Sequence, residues 1–383
     1  DMEVLLFLNN LETISVEYHG DKFILQKTID EKNITITRTN GKGPQSSKTW
    51  NIKTLNGTIE GNEDGKSEKK NYEIKIAWTD QLDDQKNTLY SYFRTNVRFP
   101  FPALVHATFD LTSDRNHLLP HNTFNEGVKA SLKDFLIEVA ATLASQGDIS
   151  YNALKLLCVE NNDILIQSDL VDRIKTKYNN QKIFPTAANE YISYNDNPVF
   201  LQYDYASFIV NTEKNKFETL LQFSDDPSVL KLLGNIGVIK TPDDEIIYSM
   251  SELTLEKESR AKLIYWLALE KYEERAPESL VRMLIDANGT KAAQGDVVFL
   301  PPAGVVSLVI PNHFKLKIMD AELYEKLKEL FGESKAEVMA DRMKQFCVMV
   351  YRFGDIFSRL TQNKISQFNK DFICRINYFF SIR

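Results

Sequence analysis

The residues whose types and spacing could do chemistry fall between positions 61 and 121. Asp64 with Glu73 and Lys75 supplies two carboxylates for a Mg2+ ion and an amine to orient the attacking water, the minimal set of a metal-dependent nuclease. Glu73 and Lys75 are two apart and share one strand face. A solvated strand face carries Glu-x-Lys on its own account, however, and Asp64 lies in an acidic turn, so the simpler reading is a wet face. The run Gly61-Asn-Glu-Asp-Gly65-Lys66-Ser67 imitates a phosphate loop, but three residues separate its glycines where four are needed, and two acids stand where phosphate would sit. His117 and His121 have the i, i+4 spacing of a helical metal clamp with His106 nearby, but Pro120 spoils a helix there and no metal site is expected.

The segment with most to say is Ala103 to Phe109, an apolar strand, followed by Leu111-Thr-Ser113-Asp114-Arg115-Asn116-His117. A guanidinium at a strand end, held by Ser113, Asp114 and Asn116, is suited to reach a phosphate presented by a neighbouring domain. The same arginine could instead satisfy its own turn. Both readings stand on the residues alone.

These residues must be positioned by two kinds of structure. From Ile14 to about Phe109 apolar and polar residues alternate, as in Ile14-Ser-Val16-Glu-Tyr18 and Tyr72-Glu-Ile74-Lys-Ile76-Ala-Trp78, which predicts strands joined by Gly- and Asn-rich turns into an antiparallel unit. After Pro120 the period becomes helical: Val128, Leu132, Phe135, Leu136, Val139 and Leu143 recur at three and four, opposite Lys129, Lys133, Asp134 and Glu138. Further helices are expected over Leu170 to Tyr178, Ser251 to Tyr272, Pro277 to Ile285, Ala321 to Phe331 and Lys335 to Phe346. Strand-like pieces are expected at Lys182 to Pro185, Val199 to Leu201, Val297 to Leu300 and Val348 to Tyr351. The class is α+β, with a β-rich domain over 1–124 and a mixed α/β, helix-rich region over 125–383.

The 383 residues carry 46 Lys and Arg against 53 Asp and Glu, a net charge of -7 without basic runs, so a nucleic-acid backbone is not the expected main partner. Cys158, Cys347 and Cys374 are scattered among apolar residues, which predicts buried thiols, no disulfide framework and a cytoplasmic setting. The longest uncharged stretch, Val297 to Phe314, is interrupted by Pro301, Pro302 and Gly304, so no membrane span is expected. Ile365, Phe368, Phe372, Ile376, Phe379 and Phe380 would line one face of a last helix, which needs a cover: a partner chain, a client or a second copy. The expectation is a fragment of a longer protein. A scaffold or dimerisation module is the alternative to a coupled machine.

The stretch Phe99 to Leu119, with Leu5-Leu-Phe-Leu8-Asn-Asn-Leu11-Glu12, Phe184-Pro185-Thr186 and Val298-Phe-Leu-Pro301 to Ile310-Pro311, resembles sacsin-like proteins of the GHKL ATPase class, relatives of the ninety-kilodalton heat-shock chaperones. Leu111 to Leu118 is the most specific part of the likeness. The nucleotide-pocket motifs of that family do not occur here. The resemblance therefore implies the transducer-type region that follows the ATPase domain, with no cofactor of its own and with ATP and Mg2+ bound by the parent protein. It further implies that Arg115 approaches the γ-phosphate when the missing domain closes, supported by Ser113, Asp114 and Asn116, with Arg98 as second candidate. Chaperone-like work or phage defence would be the use.

Overall fold

The structure, a computed structural model, describes residues 2–19, 21–30, 33–40, 45–63, 66–79, 82, 88–146, 148–209, 218–272, 275–301, 310, 315–332 and 336–349. The chain forms two compact units, one of Asp1–Phe200 with Glu218–Val238 and the other of Leu201–Phe217 with Ile239–Arg383. The class is α+β.

The first unit is built on an eight-stranded sheet. Its strands are β1 (Thr13–Tyr18), β2 (Asp21–Asp30), β3 (Asn33–Asn40), β4 (Ser46–Glu63), β5 (Lys66–Trp78), β6 (Thr88–Ser91), β7 (Phe93–Arg98) and β8 (Leu104–Ala107). They lie in the order β1-β2-β3-β4-β5-β8-β6-β7, antiparallel except for β6 beside β8, where two parallel strands meet. The period of two gives this sheet two distinct apolar faces. Ile74, Ile76, Val105 and Ala107 point to one, which is covered by α1 (Thr123–Ala144) through Val128, Leu132, Phe135, Leu136 and Val139. Leu25, Ile34, Ile36, Trp50, Ala77 and Leu104 point to the other, which is covered by Leu5, Leu6 and Phe7 of the N-terminal segment. That segment opens as a 3-10 turn, Met2–Leu5.

The helix α1 begins at Asn122, whose side chain accepts from the Asn125 backbone N–H, so an orphan donor of the first turn is satisfied. Gly127 sits inside this helix because a Cβ there would come within 2.7 Å of Ile59 Cδ1 on β4. Two shorter helices, α2 (Asn152–Leu157) and α3 (Gln167–Lys175), add Leu154, Leu157, Leu170 and Ile174 to the same core. Short strands follow, β9 (Phe184–Pro185), β10 (Tyr191–Ile192) and β11 (Phe200–Leu201).

Beyond lie α4 (Ala206–Ile209), α5 (Pro227–Ile236), β12 (Ile239–Lys240), α6 (Asp244–Glu252), α7 (Lys257–Leu269), β13 (Val297–Phe299), β14 (Leu316–Ile318), α8 (Ala321–Phe331), α9 (Ala336–Met343) and β15 (Val348–Met349). The single helix expected over Ser251 to Tyr272 is two: Asp243 caps α6 early, and the chain is extended at Leu253 and Glu256 before α7 starts. The segment Pro277 to Ile285 forms a 3-10 helix, Glu278–Met283, rather than an α-helix. A proline entry and so short a run favour the tighter coil.

Each unit contains one copy of the same substructure, which sequence reading did not reveal. In the first, the Thr186 N–H donates to Glu190 O at 2.8 Å and the Asn189 N–H to Thr186 O at 3.0 Å; Asn189 has φ 63°. In the second, the Asp286 N–H donates to Thr290 O at 3.0 Å and the Gly289 N–H to Asp286 O at 2.8 Å; Gly289 has φ 74°. Next the Ser193 N–H donates to Asp196 Oδ2, and the Ala293 N–H to Asp296 Oδ2, each at 2.8 Å. Val199 then donates to Thr219 O and Val297 to Lys315 O, each at 2.9 Å, setting parallel pairs. The Gln222 N–H to Pro185 O and the Asp320 N–H to Ile285 O tie each hairpin to the incoming strand. An Asp-capped helix, α5 after Asp226 and α8 after Asp320, completes each copy.

Candidate functional site

The turn carrying Arg115 is built from both ends. Leu111 and Leu118 form an antiparallel bridge, and between them the Thr112 N–H donates to His117 O at 2.9 Å and the Arg115 N–H to Thr112 O at 2.8 Å. The Asp114 carboxylate accepts from the Thr112 hydroxyl and from the Asn116 N–H at 3.1 Å; these two bonds hold its pKa below the ordinary carboxylate value. The Asn96 N–H donates to Asn116 O at 3.1 Å, fastening the turn to β7. At its base Asn125, 1% exposed, accepts from the Asp110 N–H and donates to Asp110 O and Leu119 O. The Asp110 carboxylate in turn accepts from Asn122 and Lys70.

Arg115 stands at the tip with φ 60°, exposed, and its guanidinium has no hydrogen-bond or ion-pair partner among the described residues. Ser113, Asp114 and Asn116 do not bond the guanidinium; Asp114 and Asn116 shape the backbone beneath it, and Ser113 is exposed. Arg98 is engaged elsewhere, its Nη2 3.2 Å from Glu160 Oε2. A cleft of about 490 Å3 opens beside the turn, lined by Arg98, His117, His121, Glu126, Lys129 and Asp163 among others. His117 and His121 thus meet there, while His106 is buried in the sheet. Among the described residues no group of three His, Cys, Asp or Glu is arranged to hold a metal ion.

Glu73 and Lys75 are not on a wet face. They point to the side covered by the N-terminal segment, where Lys75 is 7% exposed and its Nζ lies 3.0 Å from Glu73 Oε1. Asn9 bridges the pair, accepting from Lys75 Nζ and donating to Glu73 Oε1. His106, wholly buried, accepts the Tyr92 N–H at Nδ1, 3.0 Å away, which places its own proton on Nε2, 3.6 Å from Glu73 Oε1. That N–H finds no hydrogen-bond partner at bonding distance. The His106 edge, then Lys75 and Asn9, hold the Glu73 carboxyl down at about 2 against the opposing pull of burial. Burial pushes His106 below its usual value and, with the neighbouring Lys75, does the same to Lys27, whose ammonium is tied to Leu8 O. With its carboxylate already taken, Glu73 is a poor metal ligand. Asp64, its partner in the nuclease reading, lies outside the described residues, as do the side chains of the glycine-rich run around it.

Cys158 is half-buried rather than fully buried, donating weakly to Leu154 O at 3.3 Å and pushed up by burial to about 12. Cys347 is exposed in a left-handed turn after Phe346, because the apolar neighbours on either side turn inward without it. Cys374 and the apolar face Ile365 to Phe380 lie outside the described residues. No helix among the described residues is long and apolar enough to cross a membrane. Sequence reading missed Asn122 and Asn125, although Asn-x-x-Asn ahead of the helical run is a capping signal. It also missed the role of Asn9, since a contact spanning so much of the chain leaves no local trace.

No family model, curated protein or solved structure matches the chain.

Proposed function

We propose that this chain is the transducer-type region of a sacsin-like GHKL ATPase, converting ATP-driven closure of a preceding nucleotide-binding domain into movement of the segments that follow. The observation that carries the reading is the Arg115 guanidinium, exposed and uncommitted at the tip of a turn whose base is fixed by Asn125, Asp110 and β7. A forked donor on so constrained a support loses little entropy when it meets phosphoryl oxygens, and it neutralises charge that develops on them. ATP and Mg2+ belong to the parent protein's preceding domain; Arg98, across the neighbouring cleft, is the second candidate for contact. The setting is cytoplasmic, and the work is chaperone-like or defensive.

The test is ATP turnover by the parent protein with and without Arg115→Ala. An arginine acting on the transition state is worth on the order of 10^3 or more in turnover. An arginine that only senses nucleotide would alter ATP affinity and leave turnover at saturation unchanged. Steady hydrolysis by the 383-residue chain alone, or an unaltered parent carrying Arg115→Ala, would overturn the proposal.

A further inference from the structure

Around His106 the first unit buries a cluster of charged groups that the turnover reading does not use. Lys27 and Lys75, 6% and 7% exposed, lie close enough to repel each other, with the Glu73 carboxylate 3.0 Å from Lys75 and Glu12 acting on Lys27. Uncharged oxygens of the N-terminal segment also hold both ammonium groups: Lys27 Nζ donates to Leu8 O and Lys75 Nζ to Asn9 Oδ1. The same segment packs the imidazole, since the Phe7 ring stacks on His106 with centroids 5.5 Å apart and planes at 26°. Tyr92 lies against His106 as well, at 4.7 Å. The groups facing the imidazole are therefore Glu73 and Lys75 from β5, Tyr90 from β6, Tyr92 from the turn after it, and Phe7 and Asn9 from the segment, with Lys27 of β2 acting through Lys75 and Glu12 acting on Lys27.

We propose that residues 2–9 are a proton-gated strap, closed over the sheet while His106 is neutral and lifted when His106 takes up a proton. The reason is geometric. His106 Nδ1 is occupied as an acceptor of the Tyr92 N–H, so a proton arriving there sets two N–H groups against each other and the ring must shift. A shifted ring disturbs Phe7, the anchor of the strap. The new cation also joins two ammonium groups in a space shielded from water, where like charges repel strongly. Lifting the strap admits water to all three and uncovers the apolar surface of Leu25, Ile36, Trp50 and Leu104.

The sign follows from linkage. The open state binds the proton more readily than the closed one, so closure is complete above about 6.5 and is lost as the pH falls below it. One proton allows at most a tenfold change in the opening equilibrium per pH unit. The inference does not depend on Arg115 and stands or falls separately from the ATPase reading.

The experiment follows the amide protection of Leu6 and Leu8, whose N–H groups bond Glu3 O and Leu5 O within the strap, between pH 8 and pH 5 after correction for intrinsic exchange. In the same unmodified chain the His106 ring is titrated by NMR. Protection of both amides should fall by up to about tenfold per unit below about 6.5, with a midpoint shared with the ring. His106→Gln, which can still accept from Tyr92 and donate towards Glu73 but cannot titrate, should hold the protection flat. Protection that is constant with pH in the unmodified chain, a ring titration with a separate midpoint, or a His106→Gln chain that tracks the parent would each overturn the proposal.

Discussion

Arg115 occupies left-handed backbone that costs a non-glycine residue about 1 kcal/mol. A structural role would have to recover that cost through bonds of the side chain, and none is made among the described residues. Arg115→Gly should therefore raise stability by about 0.5–1 kcal/mol in urea unfolding, and Arg115→Ala should stay within about 0.5 kcal/mol of the parent. Any loss of activity in either variant then belongs to the guanidinium. The buried pair beneath the strap makes a second residue-level prediction. Glu73 is held down at about 2 in the folded chain, so its contribution to stability is complete above about 4.5 and drains away as the pH falls from there towards 2. Glu73→Gln should flatten the acid limb of the stability profile measured by denaturant midpoint, whereas an acid limb of unchanged slope would show that other carboxylates carry it. At this scale the turn from Leu111 to Leu118 could be read from the sequence, because its small polar residues signal a local structure. The burial of Lys75 could not, because the residue that covers it, Asn9, is placed by folding of the whole sheet.

Among the elements, the two copies of the hairpin-and-strand substructure differ where comparison is most instructive. Counted along the parallel pairs, Val199 with Leu220 and Val297 with Leu316, Leu221 of the first copy corresponds to Lys317, and Thr186 corresponds to Asp286, whose carboxylate lies 3.2 Å from Lys317 Nζ. All four residues are buried. Charged side chains have thus taken the place of neutral ones at these two positions. Removing one partner strands the other charge, so Asp286→Thr or Lys317→Leu alone should cost about 3–5 kcal/mol. The double variant, which restores the chemistry of the first copy, should come close to the parent in a double-mutant cycle. Additive losses would show that the copies are not packed alike. A further element-level prediction concerns the base of the Arg115 turn: Asn125→Ala deletes three hydrogen bonds from a buried side chain and should cost about 2–3 kcal/mol in urea unfolding. The helices α1 and α8 were legible because an amphipathic stripe reports local periodicity. The duplication was not, because Pro185 stands against Ile285 and Asn189 against Gly289, and the two Val-Phe-Leu strings, at Val199–Leu201 and Val298–Leu300, sit one residue out of register. What is conserved between the copies is a set of backbone bonds, and those are compatible with many side chains.

For the whole molecule, the α+β class followed from the change of period near Pro120. The way the chain is shared between its units did not, since periodicity carries no information about which helix serves which core. Each unit has its own buried apolar set: Phe135, Leu154 and Phe184 belong to one, Ile264, Phe299 and Phe346 to the other. Heating in a calorimeter should resolve two transitions. Asn125→Ala should lower one and Lys317→Leu the other; a single transition moved by both would deny the units independence. The division also bears on dissection of the molecule. The polypeptide leaves the first unit after Phe200, contributes Leu201–Phe217 to the second, returns for Glu218–Val238 and only then departs. No scission at one peptide bond can yield both halves intact, and a truncation at Val238 retains a length of chain that belongs to the discarded part. Cloning either half by a single cut should give an incomplete product; a circularly permuted or two-fragment design that respects the detour is the route to each piece.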